Sequence, residues 1–372
     1  MPKLKVAVLF GGKSGEHEVS LISARSVINA LNKKKYEIFP IGITKQGQWI
    51  ARPDVLKLLE SKSAQIKKLP PALLSSPDKK ELVIVKARQS GVMKYTPQKI
   101  DVILPILHGP YGEDGTLQGM LEMADIPYVG SGVLGSALAM DKIVMKMIFA
   151  QNSLPICQYH WFNRRDWQIN QNQIIRRIER NLQYPCFVKP ANLGSSVGIT
   201  KAHQRKELKQ GIEEACQYDR RIIVEDGVNC REIECSVLGN EEPIVSVPGE
   251  IIPNREFYDY QAKYIDDKSQ LIIPAKLTQK QKRQIQEMAK KAFVSLDLAG
   301  MARADFFIRK EDSRIFIDEV NTIPGFTQIS MYPKLWQASG MKYSELLDRL
   351  IRLALERYQE KKKNKVEFAL KK

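Results

Sequence analysis

KVAVLFGGKSGEHEVS, residues 5–20, joins a short apolar run to two adjacent glycines and then to a crowd of polar side chains. A continuous β-prone run that stops at glycine reads as a buried strand. Beyond the turn, Val19, Ile22, Val27, Ile28 and Leu31 recur at helical spacing, and YEIFPIGI (36–43) is strand-like again. Strand, glycine turn, helix, strand is the opening of a parallel α/β sheet. In such sheets ligands gather beyond the carboxyl ends of the strands, so the turn at Gly11-Gly12 is a place to expect chemistry. A second buried run, DVILPIL (101–107), ends in the same way at His108-Gly109.

Gly12-Lys13-Ser14 has the tail of a phosphate loop. The full pattern G-x-x-x-x-G-K-[ST] needs a glycine where this chain has Ala7, and G-x-G-x-x-G fails because Gly11 and Gly12 are adjacent. What remains is a tight turn with Ser14, Glu16, His17 and Glu18 near a helix start. Either a carboxylate there receives a substrate ammonium, or Ser14 caps the helix. Composition leaves both open.

The 372 residues suffice for two to three domains, and 43% hydrophobic with 27% charged residues is a globular balance. The net charge of +16 lies in short clusters such as Lys33-Lys34-Lys35 and Lys361-Lys362-Lys363, with acids nearby. It reads as a solvated basic surface that suits small anions, with no nucleic-acid partner expected. Five cysteines without a C-x-x-C pair read as reduced thiols of a cytoplasmic protein. No apolar run has the length of a membrane helix, so no membrane partner is expected, and the N-terminal run is too short for a signal peptide.

Residues 52–98, rich in Lys, Pro and Ser, read as a weakly structured surface insertion. Texture turns helical over 130–154. PCFVKPA (185–191) and VGITKA (197–202) are strand-like runs around a glycine-serine loop, RRIIVED (220–226) is a further strand, and the last third carries IECSVLG, MARADFFI and RIFIDEVN before a helix over about 343–360.

ANLGSSVG (191–198) is the better phosphate loop, because its small residues let backbone N–H groups face an anion. Lys189 precedes it on an apolar strand, where an unpaired ammonium is costly unless it meets an anion. Alternate residues of a strand share a face, so Glu319 projects with Asn321 and Arg303 with Asp305, whereas Asp318 faces away. Two acids and an amide oxygen suit magnesium held with polyphosphate, and Arg303 supplies a fixed cation for a transferring phosphoryl group. REFYDYQAKY (255–264) reads equally as a loop closing over a ligand or as an aromatic surface loop.

The ordered set LFGGKSGEHEVS, HGPYGEDGTLQG, GSGVLGSALAMDK, FVKPANLGSSVG, VEDGVNCREIE, FYDYQAKY, ARADFF and EVNTIPGFTQIS resembles the D-alanine–D-alanine ligases of the ATP-grasp superfamily over nearly the whole chain. The resemblance implies a three-domain ATP-grasp fold with an N-terminal parallel-sheet domain, divided as 1–131, 132–226 and 227–372. It implies that Lys142, Lys189 and Lys263 contact ATP phosphates, with Ser195 and Ser196 in the loop closing on them. Glu225 and Val228 would form the adenine hinge and Glu232 would meet the ribose. Asp305, Glu319 and Asn321 would hold two Mg2+ (or Mn2+) ions. Glu16 would receive the first D-alanine's ammonium, with His108 lining the same region. Arg303 and the backbone near Gly325 would stabilise the tetrahedral intermediate. Ser330 and the Met331 amide would take the second D-alanine's carboxylate, with Tyr258 favouring an amine acceptor. Glu16, Ser195 and Tyr264 would lock the closed state as a hydrogen-bonded triad. A homodimer making D-alanyl-D-alanine for peptidoglycan precursors from D-alanine and ATP is what the family implies; a ligase with another second substrate is the alternative.

Overall fold

The computed structural model describes residues 2–69, 71–74, 81–87, 93–194, 196–252 and 270–365. Strand β1 (Leu4–Gly11) is followed by helix α1 (His17–Ala30) and β2 (Tyr36–Ile43). β1 pairs in parallel with β2 on one side and with β7 (Val102–Ile106) on the other, and β3 (Trp49–Ala51) adds antiparallel to β2. Both glycine turns therefore lie at carboxyl ends of neighbouring parallel strands. Gly11 adopts φ +93°, and a Cβ there would come 2.2 Å from the Ile43 carbonyl oxygen, so no other residue fits this turn.

The 52–98 stretch carries more regular structure than composition suggests. It contains α2 (Val55–Glu60) and an antiparallel sheet in the order β4 (Ala72–Leu74), β5 (Glu81–Ala87), β6 (Met93–Lys99). Val55 and Leu59 of α2 pack so closely on β2 that a Cβ at Gly42 would lie 2.7 Å and 2.5 Å from them. α2 is a short helix, VLKLLE, that packs Val55 and Leu59, with Leu56, against the core.

After β7 come α3 (Thr116–Met123), α4 (Val133–Met140) and α5 (Lys142–Gln151). A four-stranded sheet follows in the order β10-β9-β11-β8, from β8 (Tyr159–Asn163), β9 (Cys186–Pro190), β10 (Thr200–Ala202) and β11 (Arg221–Asp226). Helices α6 (Arg164–Asn181) and α7 (Arg205–Tyr218) bury its other face through Trp167, Ile178, Leu208 and Ile212. The glycine-serine loop is the tip of the β9–β10 hairpin.

The third large sheet joins β15 (Gln270–Ile272), β14 (Gly249–Ile252), β12 (Cys230–Gly239), β16 (Gly300–Arg309) and β17 (Ile315–Asn321), with β13 (Ile244–Val245) beside β12. α8 (Gln279–Ser295) covers one face through Ile285, Ala289, Ala292 and Phe293. α9 (Met331–Ala338) and α10 (Tyr343–Lys361) follow, and α10 packs Leu346, Leu350 and Ile351 into a core shared with Val6, Phe10 and Leu104 of the first sheet. Helix α10 thus seals the first sheet.

Candidate active site

The β12, β16 and β17 register sets one row of acids across three strands. Glu234 stands opposite Asp305 and Asp305 opposite Glu319; in the next row on that face Arg303 stands opposite Asn321. Arg303 donates to both oxygens of Asp305 at 2.7 Å and pairs with Glu234 at 3.1 Å, while the Asn321 amide donates to Asp305 at 3.1 Å. The carboxylates around Arg303 raise its pKa against the opposing effect of burial, so it remains a cation. The strand-face expectation for Arg303, Asp305, Glu319 and Asn321 matches this register.

Asp318 falls at a register irregularity opposite the Asp305–Phe306 step, which turns it away from that row. Its carboxylate goes instead to two lysines. Lys146 lies 3.2 Å from one oxygen and Lys189 3.7 Å from the other. Glu225 bridges the same lysines, at 3.0 Å to Lys146 and 2.6 Å to Lys189. β9, β11, β17 and α5 each contribute one corner to this buried square of alternating charge. Desolvation opposes ionisation of the lysines, yet the two carboxylates outweigh it and hold both pKa values above the ordinary range. Burial raises the Asp318 carboxyl, but Lys189 and Lys146 bring it down to about 2.

Lys142, the first residue of α5, donates to the Leu193 carbonyl at 2.7 Å and lies 3.8 Å from Glu319. Asp141 caps α5 through the amides of Ile143 and Val144, and its other oxygen holds Arg221 at 2.6 Å and Asn192 at 3.1 Å. One cap thereby fixes the root of the glycine-serine loop. A cavity of about 30 Å³ lined by Glu113, Lys142, Leu193, Gly194, Glu319 and Asn321 lies beneath that loop.

The opening motif meets this loop. Ser14 accepts from the Glu16 amide at 3.2 Å, and the Glu16 side chain does not cap α1. Added Cβ atoms at Gly109 and Gly194 would lie 2.6 Å and 3.1 Å from Glu16 Oε2, so the carboxylate sits between the two glycine turns. Of the two readings of the opening turn, Ser14 as cap of α1 is not realised. Ser20 accepts from the Gly11 amide at 2.7 Å and donates to the Ile106 carbonyl, stitching the ends of β1 and β7 together.

His108 places Nδ1 3.0 Å from the Ile323 carbonyl; that oxygen only accepts, so Nδ1 carries the hydrogen. Burial lowers the His108 pKa, which keeps the ring neutral. Glu113 accepts from the amides of Gly109 at 2.7 Å and Ile323 at 2.9 Å. Burial, with the nearby Glu16 charge, pushes Glu113 up to about 8 despite these two bonds. Further along, Ser330 Oγ accepts from the Thr327 amide at 3.1 Å and would lie 2.9 Å from a Cβ at Gly325. Met331 is buried at the start of α9 against Ile251 and Leu335. Val228 and Glu232 lie half-buried after β11 and on β12, the strand after Glu225's, and Ser196 sits in the loop at φ +58°. Ser195, Tyr258, Lys263 and Tyr264 fall outside the described residues.

Glu113, Lys146, Glu234 and the pairing of Asp318 were missed from sequence. Lys146 had a signal: a lysine one helical turn after Lys142 in the otherwise apolar KIVMKMIFA.

Two sheets closing on a cleft, with lysines on one side and an acid-lined strand face on the other, define the ATP-grasp class of proteins. The profile described as D-ala D-ala ligase N-terminus matches residues 5–131, and that described as D-ala D-ala ligase C-terminus matches residues 148–352. A D-alanine–D-alanine ligase from Natranaerobius thermophilus is 50% identical over 373 residues, covering 99% of this chain and 100% of the relative. One from Geobacillus kaustophilus is 52% identical, covering 96% of each. The structure of the D-alanine-D-alanine ligase from Coxiella burnetii superposes with a TM-score of 0.83 at 36% identity, covering 98% and 97%. VanG D-Ala:D-Ser ligase from Enterococcus faecalis gives a TM-score of 0.83 at 37% identity, covering 95% and 100%. The chain belongs to the D-alanine–D-alanine ligase family.

Proposed function

We propose that the protein joins two D-alanines into D-alanyl-D-alanine at the expense of ATP, for peptidoglycan precursor synthesis. The observation that carries this reading is the position of Glu16, a carboxylate fit for an ammonium, against Gly194 of the phosphate loop, which itself lines a cavity with Lys142, Glu319 and Asn321. An amino acid held there by its amino group lies beside the γ-phosphate site, as phosphorylation of its carboxylate requires.

A carboxylate is a poor acyl donor because its leaving group is oxide. Its oxygen attacks the γ-phosphorus, ADP leaves, and D-alanyl phosphate forms. The second D-alanine's amine then attacks the acyl carbon; phosphate departs with that oxygen, and the amine loses a proton. Lys142, Lys189 and Lys263 take the phosphates, with Ser195 and Ser196 closing over them. Glu225 and Val228 flank the adenine, and Glu232 meets the ribose. Arg303, immobilised by Asp305 and Glu234, faces the oxyanion with the Gly325 backbone. The Ser330 hydroxyl and the first amides of α9 receive the second carboxylate, where the helix dipole favours an anion. Tyr258 and Tyr264 belong to the loop that excludes water from the acyl phosphate.

Asp305, Glu319 and Asn321 fit a divalent cation because two carboxylates and an amide oxygen leave positions for phosphate oxygens. Among the described residues no group of three or more His, Cys, Asp or Glu is placed to hold a metal ion. Bound by Asp305, Glu319 and Asn321, Mg2+ or Mn2+, as two ions, would neutralise phosphate charge. We read the units as 1–131, 132–226 and 227–372, acting in the cytoplasm as a homodimer.

Phosphate release from ATP tests the reading, with D-alanine, L-alanine, D-serine, D-alanine plus D-lactate, or RNA supplied in turn. D-Alanine alone should drive turnover. Turnover with RNA and none with D-alanine would overturn it, and D-alanine plus D-serine outrunning D-alanine alone would reassign the second substrate.

A further inference from the structure

The buried square has two unequal ends. Lys146 is 1% exposed and has both carboxylates within 3.2 Å, together with the Asp318 carbonyl at 3.3 Å. Lys189 is 10% exposed and its contact with Asp318, at 3.7 Å, is the loosest of the four sides. Each carboxylate gives one oxygen to each lysine, so the square is neutral overall. Cys157 adjoins it, but burial pushes its thiol up to about 12 and it adds no charge.

We propose that Lys146 is a positioning residue for nucleotide binding: by neutralising Glu225 and Asp318 from the closed side, it leaves Lys189 free to turn its ammonium from Asp318 to an anion in the cleft. The inference rests on the reading of Lys189 as a phosphate ligand. Lys146 itself has no path to the ligand. Without it, Lys189 is the only cation of the square facing two buried carboxylates, and a phosphate must compete with both. Removing Asp318 has the opposite consequence, since two lysines then share one carboxylate. The two substitutions both disturb a buried ion cluster and both lower thermal stability. Their effects on nucleotide affinity, however, have opposite signs, which a purely structural role does not produce.

The test is calorimetric titration of the full-length chain with the non-hydrolysable analogue AMP-PNP at fixed magnesium, alongside thermal midpoints. Lys146→Met should weaken binding by about tenfold, and Asp318→Asn should tighten it by about threefold, as short-range charge terms in a partly screened site predict. The double variant Lys146→Met/Asp318→Asn, again balanced, should return to within about twofold of the parent. If Lys146→Met does not fold, Asp318→Asn and the double variant still decide the matter. Affinity changes of the same sign in the two single variants, or none in either, would overturn the proposal. Lys189→Met is the control for the underlying reading. Strong loss of binding there with no change in Lys146→Met defeats this inference alone, whereas undiminished binding in Lys189→Met defeats the assignment of Lys189 and the inference with it.

Discussion

The two charged clusters flanking the cleft are built in opposite ways. The row containing Asp305, Glu319, Arg303 and Asn321 comes from adjacent strands of one sheet, and its members are half-buried. The square of Lys146, Lys189, Glu225 and Asp318 draws one residue from each of four elements and is almost wholly buried. An open row keeps ligand positions for phosphate and charge development, whereas a closed square satisfies itself and holds two sheets and a helix in register. The difference teaches that a charged residue near an active site acts through what it leaves unsatisfied, and the square is partly open at its Lys189 and Asp318 corners, 10% and 12% exposed, and closed at Lys146.

The largest expected effect lies in the closed square. Lys146→Met strands two buried carboxylates against one lysine and should cost about 3–5 kcal/mol of unfolding free energy, read by denaturant titration. A loss below about 1 kcal/mol would mean the square is open to water. In the open row, Arg303→Met should lower kcat by about 10²–10³-fold with a much smaller change in thermal midpoint. Equal damage to stability and rate would erase the contrast between the clusters. Ser330→Ala, farther from both, should raise the KM for the second D-alanine by about tenfold while the first D-alanine and ATP are affected little, as steady-state kinetics at both amino-acid sites would show.

A further expected effect is pH-dependent. Glu113, whose pKa is raised to about 8 from an ordinary value of 4.5, keeps in the folded state a proton that the unfolded chain loses. The unfolded chain therefore binds fewer protons between those values, and this group's contribution to stability declines as pH rises across that window. The thermal midpoint should drop by a few degrees from pH 5 to pH 8 in the parent, and the drop should shrink in Glu113→Gln.

Legibility in the sequence followed the same division. Strand alternation is a local rule, so Glu319 with Asn321 and Arg303 with Asp305 could be paired on one face from spacing alone. The parallel opening of the sheet was equally readable from the apolar run, the glycines and the helical period. The square was not readable, because pairing Lys146 with Glu225 and Asp318 needs the docking of β11 and β17 about α5, a tertiary fact without a local period. Glu16 stood between: its turn was visible, but which partner its carboxylate approached depended on Gly109 and Gly194, each far along the chain. The 52–98 stretch was read as weakly structured because short strands and a two-turn helix leave little periodic signal among lysines and prolines.

The central claim is that the first amino acid is activated as an acyl phosphate. D-Alanine labelled with 18O in its carboxylate, supplied with ATP, tests it by mass spectrometry of the released phosphate. One 18O per phosphate, in step with the dipeptide formed, is the predicted result. Dipeptide formed with unlabelled phosphate would contradict the account, because the carboxylate oxygen would then never have reached the γ-phosphorus.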